Sequence, residues 1–366
     1  MKSIHKEELY IKKDKLSDQL FEDNCIFFDI ETTGFSPAHS SLYLIGCARK
    51  KNNTICIDQF FAEKPEEEKV ILSAFLEILK QYDTIISFNG IGFDIPFLKA
   101  KCDRYGLEEN FKSFGYIDIF KSITPIKCIL KLENYKQKTI EKFLDLKRDD
   151  LYSGKELINV YESYVKAPDE ESFALLQLHN YEDVIGMIDL LPVMSYLELF
   201  NSHYSIKELQ TNEYLNYHNE TCRELLITLK NDYPVPQKVS HKFHDFYLSI
   251  SPESTMIRVP IVEDELHYFF SDYKNYYYLP EEDIAVHKSV ATYVDKAYRE
   301  NAKAYNCYSK KRSIFLPQLE PIMNPAFKYE YKDKISYFEL TDDFMNSDVM
   351  LRRYVDHLLF AIISKK

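Results

Sequence analysis

The sequence predicts an α/β fold over residues 21–200, a mixed five-stranded sheet flanked by helices, followed by a smaller α+β accessory domain over residues 201–366. Three observations predict it. Short apolar runs of strand length alternate with longer stretches in which apolar side chains recur every three or four residues. The first three runs are separated by turn residues alone and the later ones by helical stretches, which gives a sheet of mixed direction. Beyond about residue 200 the texture changes to alternating, Tyr-rich segments.

Residues 1–20 form an N-terminal extension, charged from the start and without the apolar core of a secretory signal. CIFFDI from Cys25 is the first strand, ended by the turn chemistry of ETTGFSP with Gly34 and Pro37. SLYLIGCARK and TICIDQFFAE follow as strands around Lys51-Asn52-Asn53, so these three are expected to be antiparallel neighbours. Over residues 66–81, Val70, Ile71, Ala74, Phe75, Ile78 and Leu79 make one buried helical stripe behind an acidic first turn. TIISFNG is a fourth strand, stopped by Asn89-Gly90. The helix opened by FDIPFLKAKCDRYG tolerates Pro96 in its first turn. YIDIF near 116–120 is the fifth strand, and the rest to about residue 200 is mostly helical.

In the second half the spacing predicts a helix over roughly 203–230 and a boundary at NDYPVPQ. FYLSI, TMIRVPIV, ELHYFF and NYYYLP are strand-like. A helix near 281–304 and the strand-like FKYEYKDKISYFEL come next. A closing helix starts at Thr341-Asp342-Asp343, with a Thr cap and an acidic first turn.

The bulk numbers bound the function classes. With 45% hydrophobic and 28% charged residues the chain has the balance of a folded soluble protein. It holds no apolar run near the roughly 18 residues of a membrane span, so no membrane partner is expected. Seven scattered Cys, never in a CxxC pair, suit free thiols in a reducing cytoplasm. His241 and His244 have no thiol or acidic pair beside them, which argues against zinc. The net charge of −12 taken alone counts against a nucleic-acid partner. Carboxylates gathered around divalent cations would reverse that local field. Arg49-Lys50-Lys51, Lys127 to Lys147-Arg148, and Lys310-Lys311-Arg312 are basic patches, each expected to be solvated surface charge.

Asp29 and Glu31 lie two apart on a strand, so both leave one face. Carboxylates at the end of so apolar a strand are costly unless a positive charge meets them. Asp94 falls just after a second strand, in a helix first turn, where it serves either as a cap or as a ligand. Asn89 and Phe93 flank it over the same sheet edge. His179 and Asp183 are four apart in LQLHNYEDVIGM and share a helix face with Leu176 and Met187, as a structural or a catalytic pair. Tyr181 faces away.

FFDIETTG, SFNGIGFD and HNYEDV, in this order and at these distances, resemble the three motifs of the DEDD exonuclease superfamily, most closely its YprB-type ribonuclease H-like family. The resemblance covers residues 25 to about 200. The segment from Tyr276 to Gln318 also resembles longer members of that family. The resemblance implies a ribonuclease H-like fold in which Asp29, Glu31, Asp94 and Asp183 hold two Mg²⁺ or Mn²⁺ ions. It further implies hydrolysis of phosphodiester bonds from nucleic-acid 3′ ends, with His179 orienting or deprotonating the attacking water. By the same analogy Thr32, Thr33, Asn89 and Phe93 grip the terminal nucleotide. The expected partner is a single-stranded 3′ end of DNA or RNA, with no obligate protein partner inferred. The chain departs from the pattern at one point. The His-using branch places its His five residues before the last Asp, and here the interval is four. Two other readings share these residues: a nucleic-acid-binding module with a weak or lost nuclease site, and a ribonuclease H-like endonuclease.

Overall fold

The computed structural model describes residues 1–11, 14–150, 152 and 154–364. Lys12 and Lys13 of the expected extension, Leu151 and Ser153, and the final Lys365 and Lys366 lie outside the described residues. The chain divides into two compact units, Met1–Asn201 with Tyr233–Gln237, and Ser202–Asp232 with Lys238–Lys366. Among the described residues no helix is long and apolar enough to cross a membrane.

The first unit is built on six strands, β1 (Lys2–Leu9), β2 (Cys25–Thr32), β3 (Leu42–Lys51), β4 (Thr54–Phe61), β5 (Thr84–Ser87) and β6 (Gly115–Asp118), in the order β1-β4-β3-β2-β5-β6. The three opening apolar strands pair antiparallel, and β5 and β6 run parallel to β2. The sheet therefore has one strand more than the five expected. The extra strand is β1, which lies antiparallel along β4 and is part of the sheet, not an extension. Its sequence KSIHKEEL is mostly charged, as suits an edge strand exposed to solvent, and it lacks the apolar alternation by which the other strands are recognised.

The helices of this unit are α1 (Lys15–Leu20), α2 (Glu68–Leu79), α3 (Asp94–Tyr105), α4 (Ile119–Ile123), α5 (Lys127–Leu130), α6 (Gln137–Phe143), α7 (Gly154–Lys166), α8 (Glu170–Leu190) and α9 (Ser195–Phe200). The stripe of α2, with Ile71, Leu72, Phe75 and Leu79, packs with Phe97, Leu98 and Cys102 of α3 on Ile26, Phe28, Ile45 and Cys47 of the sheet. A second cluster joins Tyr43 and Phe61 of the sheet to Leu157, Tyr161 and Tyr164 of α7 and Leu176 of α8. Each such fully buried aromatic contributes roughly 1.5–3 kcal/mol of transfer free energy, so both faces of the sheet are anchored. The expected boundary NDYPVPQ is tied to this unit: Val235 is buried and the Tyr196 hydroxyl donates to the Gln237 carbonyl at 2.6 Å.

The second unit is richer in strands than expected. It contains β7 (Tyr204–Leu215), β8 (Thr221–Asn231), β9 (Val239–Phe243), β10 (Phe246–Ile250), β11 (Ser254–Phe269), β12 (Tyr276–Leu279), β13 (Ile284–His287), β14 (Glu300–Asn301), β15 (Tyr308–Gln318) and β16 (Ser336–Glu339), then α10 (Asp342–Met345) and α11 (Asp348–Ile363). Seven of the strands make one sheet, and β13-β12-β14 make a second. The helix expected over 203–230 is the long β7–β8 hairpin. Its Ile, Thr and Tyr content favours strand, and Asn216 closes the turn by accepting from the His218 and Glu220 backbone N–H groups. The helix expected near 281–304 is β13, two short 3₁₀ turns and β14. Asp283 turns the chain there at φ 53°. TMIRVPIV and ELHYFF form one strand, β11. The closing helix is split: Thr341 caps α10 and Ser347 caps α11.

Candidate active site

The parallel strands β2, β5 and β6 end along one edge of the first sheet, since Phe27 is opposite Ile86 and Ser87 opposite Asp118. Loops beyond the carboxyl ends of parallel strands form the natural crevice of such a sheet. Asp29 and Glu31 stand at the end of β2, where a register shift between Glu31 and Thr32 breaks the ladder with β3. Asp94 opens α3 after β5 and is 6% exposed. Asp183 and His179 come from α8.

These residues meet. Nε2 of His179 lies 3.2 Å from Asp183 and 3.6 Å from Glu31. One ligand atom from each of the three falls within 4.8 Å of the other two. Asp94 joins them, its carboxylate taking backbone N–H groups of Asp94 itself and of Ile30 in β2. Burial and mutual repulsion raise Asp29, Glu31 and Asp94. Asp29 is pushed well above the carboxylate range by burial, then by Glu31, Asp183 and Asp94. Glu31 is raised by burial, Asp183 and Asp94. Burial, with Asp118 and Asp183, lifts Asp94 to about 7 against those N–H bonds. The cluster thus carries more negative charge than its surroundings balance.

Asn180, one helical residue beyond His179, fixes Asp29. Its Nδ2 donates to the Asp29 carboxylate at 3.2 Å, while its oxygen accepts from Gln59 at 2.9 Å. This approach needs the glycine at position 46, opposite Asp29 in β3. A Cβ there would stand 2.0 Å from the Asn180 side-chain oxygen.

The segment 144–150 supplies two residues that the sequence reading did not assign to the site. Asp150 lies 2.6 Å from Nδ1 of His179, and Lys138 donates to the same carboxylate at 2.8 Å. Burial would raise Asp150, but the bonds from Lys138, His179 and the Tyr152 N–H draw it down to about 2. An ionised carboxylate can only accept, so Nδ1 carries a proton, and Nε2 is the ring nitrogen turned toward Glu31 and Asp183. Arg148, expected as solvated surface charge, is mostly withdrawn from solvent, its side chain 11% exposed. Its guanidinium pairs with Asp183 at 2.6 Å and with both oxygens of the buried Glu141 at 3.1 Å.

The donor set fits a divalent cation. Its atoms are hard carboxylate oxygens and one imidazole nitrogen, their lone pairs converge, and their repulsion is relieved by positive charge. Arg148 takes one oxygen of Asp183 and leaves the other facing His179.

The expected nucleotide-gripping residues divide. The Thr32 hydroxyl donates to the Gly34 carbonyl at 2.9 Å and the Thr33 hydroxyl accepts from the Ser41 N–H at 2.8 Å, so both close the turn after β2. Asn89 adopts φ 61°, its N–H bonded to Asp118 at 3.0 Å, and Asp118 also accepts from Ile91. This shapes the loop that presents Phe93. The Phe93 ring meets Phe35 edge-on at 5.9 Å, and Phe35 is 90% exposed. Tyr181 points away toward β1, bonded to Glu8 and Lys6.

The sequence profile of the RNase_H superfamily matches residues 26–195. The chain is 27% identical over 188 residues to the Uncharacterized protein YprB of Bacillus subtilis (strain 168), covering 50% of this chain and 44% of that protein. A stretch of 53 residues is 40% identical to a DNA polymerase of Methanocaldococcus jannaschii, 14% of this chain and 3% of the polymerase. The matched stretches span less than half the length of either relative. Among solved structures it is similar to the family B DNA polymerase from Pyrobaculum calidifontis, with 14% identity and a TM-score of 0.37 over 69% of this chain and 35% of that one. It is also similar to the zinc-bound E. coli exonuclease I–single-stranded DNA complex, with 12% identity and a TM-score of 0.30 over 57% and 55%.

Proposed function

Residues 26–195 are a ribonuclease H-like domain of the YprB type, and from that premise we propose that the chain is a metal-dependent 3′→5′ exonuclease acting on single-stranded ends of DNA or RNA. One observation carries the reading. Asp29, Glu31, Asp94 and Asp183, from three separate elements, crowd onto one sheet edge closely enough that burial and their mutual repulsion raise Asp29, Glu31 and Asp94, with an imidazole among them. Such crowding of perturbed carboxylates in one crevice is how a catalytic centre differs from surface acids.

The four carboxylates would hold two divalent cations, Mg²⁺ or Mn²⁺, which supply Lewis acidity to the attacking and leaving oxygens of an in-line phosphoryl displacement. The chain's own groups do the rest. His179, its Nδ1 proton held by Asp150, presents Nε2 as the base that takes a proton from the attacking water. Asn180 and Gly46 keep Asp29 in place. Phe93, with Phe35 beside it, offers an aromatic edge on which the terminal base rests, and the Asn89 loop sets its height. Thr32 and Thr33 contribute through the backbone of the turn that their hydroxyls close. The product is a nucleoside 5′-monophosphate.

The test is an end-labelled single-stranded oligonucleotide incubated with Mn²⁺. Stepwise shortening from the 3′ end, abolished in Asp29→Ala and Asp183→Ala, is the expected result. Equal cleavage of a 3′-blocked strand would instead identify an endonuclease, and an intact strand that is still bound would identify a binding module.

A further inference from the structure

Several cations of the basic patches visible in the sequence are paired in the fold. Arg49 pairs with Asp58, Arg148 with Asp183 and Glu141, Lys310 with Asp283, and Lys311 with Glu339. A different set of cations is left over. Between residues 273 and 312, apart from Lys310 and Lys311, there are six Lys or Arg against five Asp or Glu, together with eight tyrosines, in a chain whose net charge is −12. Two of those five acids are already engaged: Asp283 with Lys310, and Asp295 as the cap of a 3₁₀ turn.

The geometry places the remaining charge deliberately. Tyr276 and Tyr278 of β12 turn to one side, where Tyr276 stacks on Phe270 at 4.6 Å and Tyr278 bonds Asp283. Tyr277 therefore faces the other side. Over its ring lie the Lys288 ammonium at 5.2 Å and the Arg299 guanidinium at 4.7 Å. Among the described residues, neither is held by a carboxylate. Lys288 donates to the Lys274 carbonyl at 2.6 Å, and Arg299 donates to the Ala291 carbonyl. Backbone carbonyls fix both cations in position and leave their charge uncompensated. The segment between them crosses from β13 to β14 over β12, pinned by the fully buried Ala291. On its outer side Tyr293 is 93% and Tyr298 54% exposed.

We propose that this face, built on Tyr277, Lys288 and Arg299 and extended by Tyr293, Lys296 and Tyr298, binds single-stranded nucleic acid independently of the carboxylate crevice. Fixed cations without carboxylate partners attract phosphates. Exposed rings beside them offer stacking to unpaired bases of any sequence. An acidic peptide would use the cations but not the rings, and Tyr293 with its ring in water has no other packing role.

The test uses the full chain in EDTA, so that no outcome depends on cleavage. A fluorescein-labelled oligothymidylate of about 20 nucleotides is titrated by anisotropy at salt concentrations between about 50 and 200 mM. Lys288→Ala with Arg299→Ala is expected to weaken binding about tenfold and to flatten the salt slope by about 1.4, two contacts at roughly 0.7 each. Tyr293→Ser with Tyr298→Ser is expected to weaken binding at least roughly fivefold, and to change nothing for an abasic strand of equal length. The second pair is solvent-exposed and cannot unfold the protein by opening its core, which keeps the test valid if the first pair destabilises the sheet. Wild-type affinity in the tyrosine pair, loss that is equal for the abasic strand, or no binding by the wild type overturns the proposal. Failure of the nuclease reading would show instead as an intact strand with Mn²⁺ and normal anisotropy.

Discussion

Asp150 sits 2.6 Å from Nδ1 of His179, and that bond decides which ring nitrogen faces the carboxylates. Asp150 stays ionised far below neutrality, because Lys138 and His179 hold its carboxyl at about 2. In the proposed reaction it would therefore act through the tautomer and orientation of His179. Asp150→Asn, nearly isosteric, loses this control because an amide can turn either end to the ring. Turnover is expected to fall roughly 10–100-fold, with Mn²⁺ affinity and oligonucleotide KM nearly unchanged. Steady-state kinetics on a labelled strand measure it, and an unchanged kcat would show that the imidazole needs no such partner.

His179 is close enough to Glu31 and Asp183 to be counted either as base or as ligand. His179→Ala separates the two. A base removed costs roughly 10²–10⁴ in rate and leaves the oxygen donors their cation. Calorimetric titration with Mn²⁺ should give the wild-type affinity. A large loss of affinity would make the imidazole a ligand.

What the sequence made legible follows from where period changes fall. Asp29, Glu31 and Asp94 sit where an apolar run gives way to turn residues, and His179 and Asp183 share a helical stripe, so local pattern makes them candidates and the resemblance of the three motifs joins them into one set. Arg148 and Asp150 lie in KRDD, a stretch with no periodicity and the look of solvated charge. They matter because the fold brings them onto α8, 29 residues away in the case of His179. Proximity of that kind leaves no local signature. β1 was missed for the converse reason, since an edge strand exposed to water has no apolar alternation to show. In β7 and β8 the spacing of Ile206, Leu209, Leu225 and Leu229 imitates a helix, and only the pairing of the two strands reveals a sheet.

Arg148 bridges Asp183 and the buried Glu141. Arg148→Met leaves Glu141 as a buried carboxylate without its partner, and truncating one side of such a pair typically costs about 3–5 kcal/mol. Urea unfolding should show a loss of that order. Glu141→Gln combined with Arg148→Met should recover much of it, because the stranded charge is then removed. A loss well under 1 kcal/mol in the single variant would mean that water reaches Glu141 freely.

The raised carboxyls make the metal-free protein's stability depend on pH in a defined direction. Asp94 titrates at about 7 in the folded chain against 3.8 for the free side chain, so between those values the folded state holds a proton that the unfolded state has released. Stability then falls as pH rises through that window and levels off above it. With EDTA present, thermal unfolding should give a higher Tm near pH 5 than near pH 8. Asp94→Asn should shrink the difference, and Mn²⁺ should stabilise more at the higher pH, where the acids are ionised and repel. A wild-type Tm that rises steadily from pH 5 to 8 in EDTA would contradict the crowding of these groups.

Gly46 gives the most local test of how the crevice is built. Its place opposite Asp29 is occupied by the Asn180 side chain, whose oxygen would lie 2.0 Å from an added Cβ, with Val184 Cγ2 at 3.0 Å. Neither can yield cheaply. Asn180 is fully buried and bonded to both Gln59 and Asp29, and Val184 is packed in the helix. Gly46→Ala must push α8 off β3 or break the Asn180–Asp29 bond. Overpacking of this kind costs about 1–3 kcal/mol. Because α8 also carries His179 and Asp183, the displacement reaches them together. Turnover in the proposed exonuclease reaction should drop at least roughly tenfold while the chain remains folded, since a misplacement of reacting groups by about 1 Å is enough for a larger loss. Gly115→Ala is the control: its Cβ would meet Thr84 Oγ1 at 3.3 Å in the same sheet, away from α8. Equal loss of activity in both would trace the effect to general destabilisation of the sheet, and loss confined to Gly46→Ala would trace it to the seat of Asp29.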